Sequence, residues 1–345
     1  MIFISLIVSF IPFVYADIPL DIPKFSIDLD RQPIDRWSDI IPNFVQPMNE
    51  FNDAIRAQIP KAYIDVAEIV ASRLDQHIPQ PYHDEIYSIA QAISMPVADI
   101  VLINLVYELR TFCTSLLVRT SNGTIIHGRN LDFDLNTDLL RRLTFQGNFY
   151  RQSDPTFTYE SIHFAGSIGL LTSSRSGYFS LSINQRVIDD KDWWMNALML
   201  ILHFHSLPLF IITRSIFDNP LMSYQDLKDT LQYQHLIAPV YFIITNGRTS
   251  GMIITRNRLN SIHPIELNST LVQTNYDHWL ERDPRRATAE DILGSFNSTQ
   301  MTSKNIFDIV LSVIPVLNRL TVYTAIMNPG EKQDIFAKIR TLKPR

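Results

Sequence analysis

Phe112-Cys113-Thr114-Ser115-Leu116-Leu117-Val118-Arg119-Thr120-Ser121-Asn122-Gly123-Thr124-Ile125-Ile126-His127-Gly128-Arg129-Asn130-Leu131-Asp132-Phe133 carries the strongest structural signal in the chain. Both arms are rich in branched and apolar residues, and the Asn-Gly between them is a hairpin turn signal. A two-residue turn centred on Asn122-Gly123 sets Ser121 opposite Thr124. Continued without a bulge, that register sets Arg119 opposite Ile126 and Cys113 opposite Asp132, about 5 Å apart at Cβ. A bulge at Gly128 would move Arg129 by one face. A thiol, a carboxylate and a guanidinium are thereby expected at one end of the hairpin. Read alone, Arg129 and Asp132 are also compatible with a solvated strand-end ion pair of little worth.

Outward from the hairpin, the chain changes character. Before it, apolar spacing over Phe51–Ser72, Tyr87–Ser94 and Val97–Glu108 predicts helices, with Pro60 splitting the first run. The Pro-rich stretch Asp17–Gln46 reads as extended and surface-wrapping. After the hairpin, strands are expected at Leu143–Tyr150, Thr156–Phe164, Ser167–Thr172, Tyr178–Asn184, Val240–Thr245 and Gly251–Thr255, with another strand leading to Thr274, and at Arg319–Met327. Helices are expected over Trp193–Phe217, broken at Pro208, and over Ser223–Tyr233, Thr288–Phe296 and Ser303–Ile314. Strands in groups and helices in groups indicate an α+β fold with sheets covered by helices.

Composition narrows the function. The net charge of -5 lacks the basic surplus of a dedicated nucleic-acid binder. The ten glycines form no phosphate-cradling loop. The nine histidines form no H-E-x-x-H or Cys/His cluster, so no metal and no cofactor is expected. An apolar run from Ile2 to Val14 ends at Val14-Tyr15-Ala16, which reads as a signal peptide over residues 1–16. A buried strand or a membrane anchor is the alternative, although the run is shorter than the ~20 residues of a span. The sequons at Asn122, Asn268 and Asn297 agree with secretion. Cys113 is the single cysteine, so no intramolecular disulfide is possible; a reactive thiol, an intermolecular bridge and a buried small hydrophobe all remain open from the residues alone.

Several segments together carry a resemblance. Phe112-Cys-Thr-Ser-Leu and His127-Gly-Arg-Asn-Leu-Asp-Phe133 resemble the acid ceramidase and N-acylethanolamine acid amidase family. So do Trp193-Trp-Met-Asn-Ala197, Thr274-Asn-Tyr-Asp-His-Trp279 with Asp283-Pro-Arg-Arg286, Ile314-Pro-Val-Leu-Asn318 and Thr321-Val-Tyr-Thr-Ala325. These proteins are lysosomal N-terminal-nucleophile hydrolases related to choloylglycine hydrolases. The resemblance implies an αββα sandwich with an N-terminal helical α-chain. It implies self-cleavage between Phe112 and Cys113. The products would be an α-chain over 17–112 and a β-chain over 113–345 that stay together as a heterodimer. The freed α-amine of Cys113 would then serve as general base for its own thiol. Arg129 would favour thiolate and Asp132 would hold the ammonium.

The resemblance further nominates Asn275 as oxyanion donor and Arg285 as an active-site arginine. It points to Asn184, Gln185, Trp193 and Trp194 as substrate-binding. Relatives usually carry a Glu where this chain has Gln185, which keeps hydrogen-bonding reach but cannot hold charge. The implied activity is hydrolysis of fatty-acid amides, N-acylethanolamines before ceramide, because ceramidases use extra cysteines that are absent here. A catalytically silent lipid binder on the same fold is the alternative of a different class. A papain-like protease lacks the expected sequence context around Cys113. The uncharged run Met195–Ile212 reads as a core helix pair, an interfacial pair or, least favourably given Pro208, a span. In the interfacial form, His203 and His205 would gain charge at acidic pH and attract anionic lipid, giving peripheral membrane association. The expected compartment is the lysosome, with secretion as a further destination.

Overall fold

In the computed structural model, which describes residues 15–106, 111–186, 207–331 and 335–344, the hairpin forms over strands Thr111–Arg119 and Ile125–Phe133. Its register differs by one residue from the expected one. Thr120 N–H donates to Thr124 O at 2.9 Å, and Gly123 N–H donates to Thr120 O at 3.1 Å. The loop is therefore three residues long, Ser121-Asn122-Gly123, with Gly123 at φ +87°. Thr120, not Ser121, closes the turn opposite Thr124. Cys113 consequently faces Leu131, and Asp132 faces Phe112. A one-residue slip exchanges faces, so Asp132 projects from the opposite side of the sheet to the thiol. No bulge interrupts this ladder at Gly128.

Two sheets organise the molecule. One runs Thr270–Gln273, Thr111–Arg119, Ile125–Phe133, Thr321–Met327, Phe336–Ile339, Leu20–Asp21, antiparallel throughout. The other has eight strands, from Ser261–Glu266 through Gly251–Arg256, Val240–Thr245, Phe179–Gln185, Thr172–Arg175, Thr158–Phe164 and Thr144–Tyr150 to Lys24–Asp28. Lys24–Asp28 joins as a parallel edge strand. Thus the stretch before residue 46 does more than wrap a surface: it supplies one edge strand to each sheet. The expected strand Ser167–Thr172 is displaced to Thr172–Arg175.

Alternation assigns the faces. Leu117 and Ile125 of the hairpin pack against Tyr241, Ile243 and Ile253 of the facing sheet. The opposite face places Leu116, Val118 and Ile126 against Ala289, Leu293, Ile306 and Leu311. Phe242 and Ile244 share the largest core with Leu227 and Leu231 of helix Tyr224–Tyr233. The layering is therefore helix, sheet, sheet, helix: the αββα sandwich.

The longer N-terminal helices are Val45–Gln58, Lys61–Ser72, Tyr82–Ala92 and Val97–Val106, and the break at Pro60 is as expected. Helix Pro284–Ser295 begins earlier than the apolar spacing indicated, because Asp283 caps it and Pro284 occupies its first position. The expected helix Ser303–Ile314 is a short helical turn followed by a π-helix at Ile306–Val310. Pro208 starts helix Leu209–Asp218, which is largely buried. Residues 195–206, with His203 and His205, lie outside the described residues. Among the described residues, no single helix is long and apolar enough to cross a membrane.

Candidate active site

Cys113 is fully buried at the end of the first hairpin strand, and each of its polar atoms has a partner. Arg129, one diagonal step across the ladder on the same face, donates from Nη2 to Sγ at 2.9 Å. The backbone N–H of Cys113 donates to Asn275 Oδ1 at 2.8 Å. Its carbonyl oxygen accepts from Arg285 Nη1 at 3.1 Å. Burial pushes the thiol above its ordinary range; Arg129 pulls it back, and Asp132 adds to the rise. The thiol is thereby favoured over the thiolate.

Two further acceptors hold the Arg129 guanidinium in place. It also donates to the carbonyls of Leu171 and of Ile183, the latter at 2.6 Å. Both acceptors belong to the eight-stranded sheet side, so Arg129 bridges the two sheets at the thiol. Asp132, on the other face, accepts from Thr321 Oγ1 at 2.6 Å, Asn318 Nδ2 at 2.7 Å and Arg285 Nη1 at 3.2 Å. Burial raises its carboxyl above the ordinary range despite these three partners. Its hydrogen-bonded link to Cys113 runs through Arg285, whose Nη1 spans Asp132 and the Cys113 carbonyl. The expected cross-strand contact of thiol and carboxylate is thus replaced by an arginine bridge.

Arg285 is delivered by the first turn of helix Pro284–Ser295. Asp283 caps that turn by accepting from the backbone N–H of Arg285 and Arg286. Asp283 also accepts from Thr274 Oγ1, tying the cap to the residue before Asn275. Asn275 Oδ1 accepts from Arg285 Nη2 at 2.9 Å, and Asn275 Nδ2 donates to the Gln185 carbonyl at 2.8 Å. The oxygen of Asn275, not its nitrogen, faces the backbone of Cys113.

Other nominated residues fall elsewhere. Asn184 is fully buried, accepting from Ser115 Oγ at 2.8 Å and donating to the carbonyls of Gln273 and Thr274, so its side chain is committed within the protein. Gln185 is half-buried. Trp193 and Trp194 lie outside the described residues. Asn122, Asn268 and Asn297 are all exposed. The roles of Asn318, Thr321, Thr274 and Asp283 as supports were not read from the sequence. Asn318 and Thr321 stood in quoted segments without a role, and nothing in the sequence pairs Thr274 with Asp283.

A cleft of about 740 Å³ opens beside the Phe112–Cys113 bond. Phe112, Asp132, Tyr276, Leu280, Arg285 and Leu320 line it. Tyr276, Trp279, Leu280, Ile314 and Leu320 are exposed. An apolar cleft of this size with a few convergent polar groups suits a small-molecule substrate. Among the described residues, no group of three or more His, Cys, Asp or Glu is placed to hold a metal.

Comparison with known proteins agrees with this architecture. A family model described as the beta subunit of N-acylethanolamine-hydrolyzing acid amidase matches residues 21–78. The N-acylethanolamine-hydrolyzing acid amidase of Mus musculus is 32% identical, over 95% of this chain and 92% of that protein. The acid ceramidase of Homo sapiens is 32% identical, over 90% of this chain and 85% of that one. A solved structure of the Caenorhabditis elegans N-acylethanolamine-hydrolyzing acid amidase ortholog superimposes with a TM-score of 0.57 at 32% identity, covering 64% of this chain and 94% of that one. With identity above 30% along nearly its whole length, the chain belongs to the family of N-acylethanolamine-hydrolyzing acid amidases and acid ceramidases.

Proposed function

We propose that this chain is a self-activating lysosomal cysteine amidase that hydrolyses N-acylethanolamines to fatty acid and ethanolamine. The observation that carries the reading is the grip on Cys113: nitrogen by Asn275, carbonyl by Arg285 and sulfur by Arg129. A buried structural thiol needs no such arrangement.

In the first step, Sγ attacks the carbonyl carbon of Phe112. The C–N bond to Cys113 breaks, the Cys113 nitrogen takes the thiol proton, and Phe112 becomes a thioester. Water hydrolyses the thioester, leaving a Phe112 carboxylate and the free Cys113 thiol. The new α-amine is then the base for the second reaction. It receives the Sγ proton as sulfur attacks the substrate amide, and the proton passes to the departing ethanolamine nitrogen. Water cleaves the acyl-thioester, releasing fatty acid and restoring the thiol. Asn275 Oδ1 orients the amine in this reading, which its contact with the Cys113 N–H supports. Its Nδ2, once released from the Gln185 carbonyl, serves as the oxyanion donor.

The α-chain is expected to stay bound after the cut, because its strands Leu20–Asp21 and Lys24–Asp28 are built into the two sheets. The apolar residues Tyr276, Trp279, Leu280, Ile314 and Leu320 support a peripheral approach to a lipid surface, from which an apolar amide enters the cleft. The apolar N-terminal run and exposed sequons support routing to the lysosome through the secretory pathway.

The test is intact mass and N-terminal sequencing before and after incubation at pH about 4.5, beside a Cys113→Ala control. A chain starting at Cys113 in the natural protein alone is the expected result. Fatty-acid release is then compared between N-acylethanolamine and ceramide, since relatives of both activities are equally similar. Faster turnover of ceramide would move the assignment to acid ceramidase. No cut and no acyl-Cys113 adduct would leave a lipid-binding protein.

A further inference from the structure

Behind the nucleophile, between the sheets, lies a second set of polar side chains with no part in the chemistry above. His127 is fully buried, with Nδ1 2.9 Å from Ser180 Oγ and Nε2 2.8 Å from Ser182 Oγ. Ser182 Oγ lies 2.9 Å from Ser115 Oγ, which lies 2.8 Å from Asn184 Oδ1. Asn184 Nδ2 reaches the carbonyls of Gln273 at 2.8 Å and Thr274 at 3.2 Å. All five side chains are sealed from solvent.

Counting protons fixes the direction of this chain. Two carbonyls face one end of the Asn184 amide, so that end is the NH₂ and the other is the oxygen. An amide oxygen only accepts, so Ser115 gives its one proton to Asn184. Ser182 must therefore donate to Ser115. With that proton used, Ser182 can only accept from His127, which must carry hydrogen on Nε2. A neutral imidazole has one N–H, so Nδ1 is bare and accepts from Ser180. Burial, with Arg129 nearby, pushes the imidazole pKa down to about 3 and keeps it neutral. The opposite tautomer would set the lone pairs of Ser182 and Ser115 against each other with no proton between them.

The chain crosses from the six-stranded sheet at His127 to the other sheet at Ser182, back to Ser115, and over again to Asn184. It ends on Gln273 and Thr274, and the next residue is Asn275, which holds the Cys113 nitrogen. We propose that His127 is a positioning residue whose Nε2–H tautomer orders a one-way hydrogen-bond chain through Ser182, Ser115 and Asn184, setting Asn275 against Cys113. This deepens, and rests on, the reading of Phe112–Cys113 as a self-cleavage site.

Two arms test it. In uncut Cys113→Ala protein with ¹⁵N-labelled histidine, imidazole shifts at pH about 5 report protonation and tautomer. The expected result is a neutral His127 with its proton on Nε2; a proton on Nδ1, or on both nitrogens, overturns the proposal. In the otherwise natural chain, Ser182→Ala is expected to slow cleavage at Phe112–Cys113 about tenfold, whereas Ser180→Ala slows it less than about threefold. Each change strips one hydroxyl from His127, but only Ser182 lies between His127 and the site. Equal slowing by both, or none by Ser182→Ala, marks a merely structural role and overturns the proposal. The first arm alters no member of the chain, so it decides even where a serine variant misfolds. A natural protein that never cuts would overturn the cleavage reading, while the tautomer still decides this one.

Discussion

Arg129 Nη2 lies 2.9 Å from the sulfur of Cys113, on the same face of the hairpin. It is the cation closest to that sulfur in a site where burial otherwise disfavours the thiolate. A charge-assisted hydrogen bond of this kind contributes about 1.5–3 kcal/mol. Arg129→Leu is therefore expected to slow self-cleavage roughly 10- to 100-fold. Arg129→Lys keeps the charge but loses the fork that also holds Ile183 O, so it should fall between. The first-order appearance of the chain beginning at Cys113 is the measurement. Cleavage at the natural rate in Arg129→Leu would remove the guanidinium from the mechanism.

Asp132 acts through Arg285 instead of touching the thiol. Its carboxyl sits above the ordinary range because it is buried. Falling pH is expected to protonate it and to loosen Arg285 from the Cys113 carbonyl. The sign for stability is opposite to that for activity: a raised native pKa means the folded state takes the proton more readily, so protonation does not unfold the chain. Asp132→Asn mimics the protonated form. Its cleavage rate should be low at every pH, with the acidic limb of the natural profile flattened. An acidic limb that survives unchanged in Asp132→Asn would assign that limb to another group.

The hairpin itself was readable from its branched, apolar arms and Asn122-Gly123. Its register was not, because Asn-Gly suits both two-residue and three-residue loops, and only the Thr120–Thr124 closure distinguishes them. That single residue decides which face receives Asp132. Arg285 and Asn275 were visible only through resemblance, since neither is near Cys113 in sequence and each alone looks like an ordinary loop residue. The bond between Thr274 and Asp283 bridges a loop and leaves no periodic trace. Strand Lys24–Asp28 was hidden by Pro23 before it, and proline is tolerated at the start of an edge strand. Lengths and types of long periodic elements were legible; contacts across loops were not.

Glu85 is a buried ionic tie between the two chains that cleavage would produce. Arg36 Nη1 and Trp37 Nε1, both N-terminal to the cut, each reach it at 2.8 Å. Arg214, C-terminal to the cut, reaches it with Nη1 at 2.9 Å and Nη2 at 3.0 Å. Burial alone would raise this carboxyl; Arg214 and Arg36 overcome it and hold it below the ordinary range. It therefore stays ionised under mild acid. Glu85→Gln leaves Arg214 short of countercharge, and breaking such a pair costs about 3–5 kcal/mol. Native mass spectrometry after cleavage should show free α-chain in Glu85→Gln and an intact heterodimer in the natural protein. Equal retention in both would place the inter-chain hold in the edge strands.

His163 predicts how stability responds to acid. Its ring stacks on Phe145 at 5.4 Å between centroids and meets Trp37 edge-on at 5.5 Å. Neither ring nitrogen has a hydrogen-bond partner among the described residues. Burial, with Arg214 adding to it, pushes the pKa down to about 3. In the unfolded chain a histidine titrates near 6.5, so below that pH the unfolded state takes a proton that the native state refuses. The contribution is fully present above pH 6.5 and declines as pH falls toward 3, by about 2–3 kcal/mol at pH about 4.5. His127 adds a similar slope. Replacing His163 by Phe keeps a ring in the aromatic cluster and removes the proton site. Melting of Cys113→Ala protein at pH about 7 and about 4.5 should show a smaller acid loss in the His163→Phe background. Identical losses in the two backgrounds would show that His163 takes its proton without penalty in the folded chain.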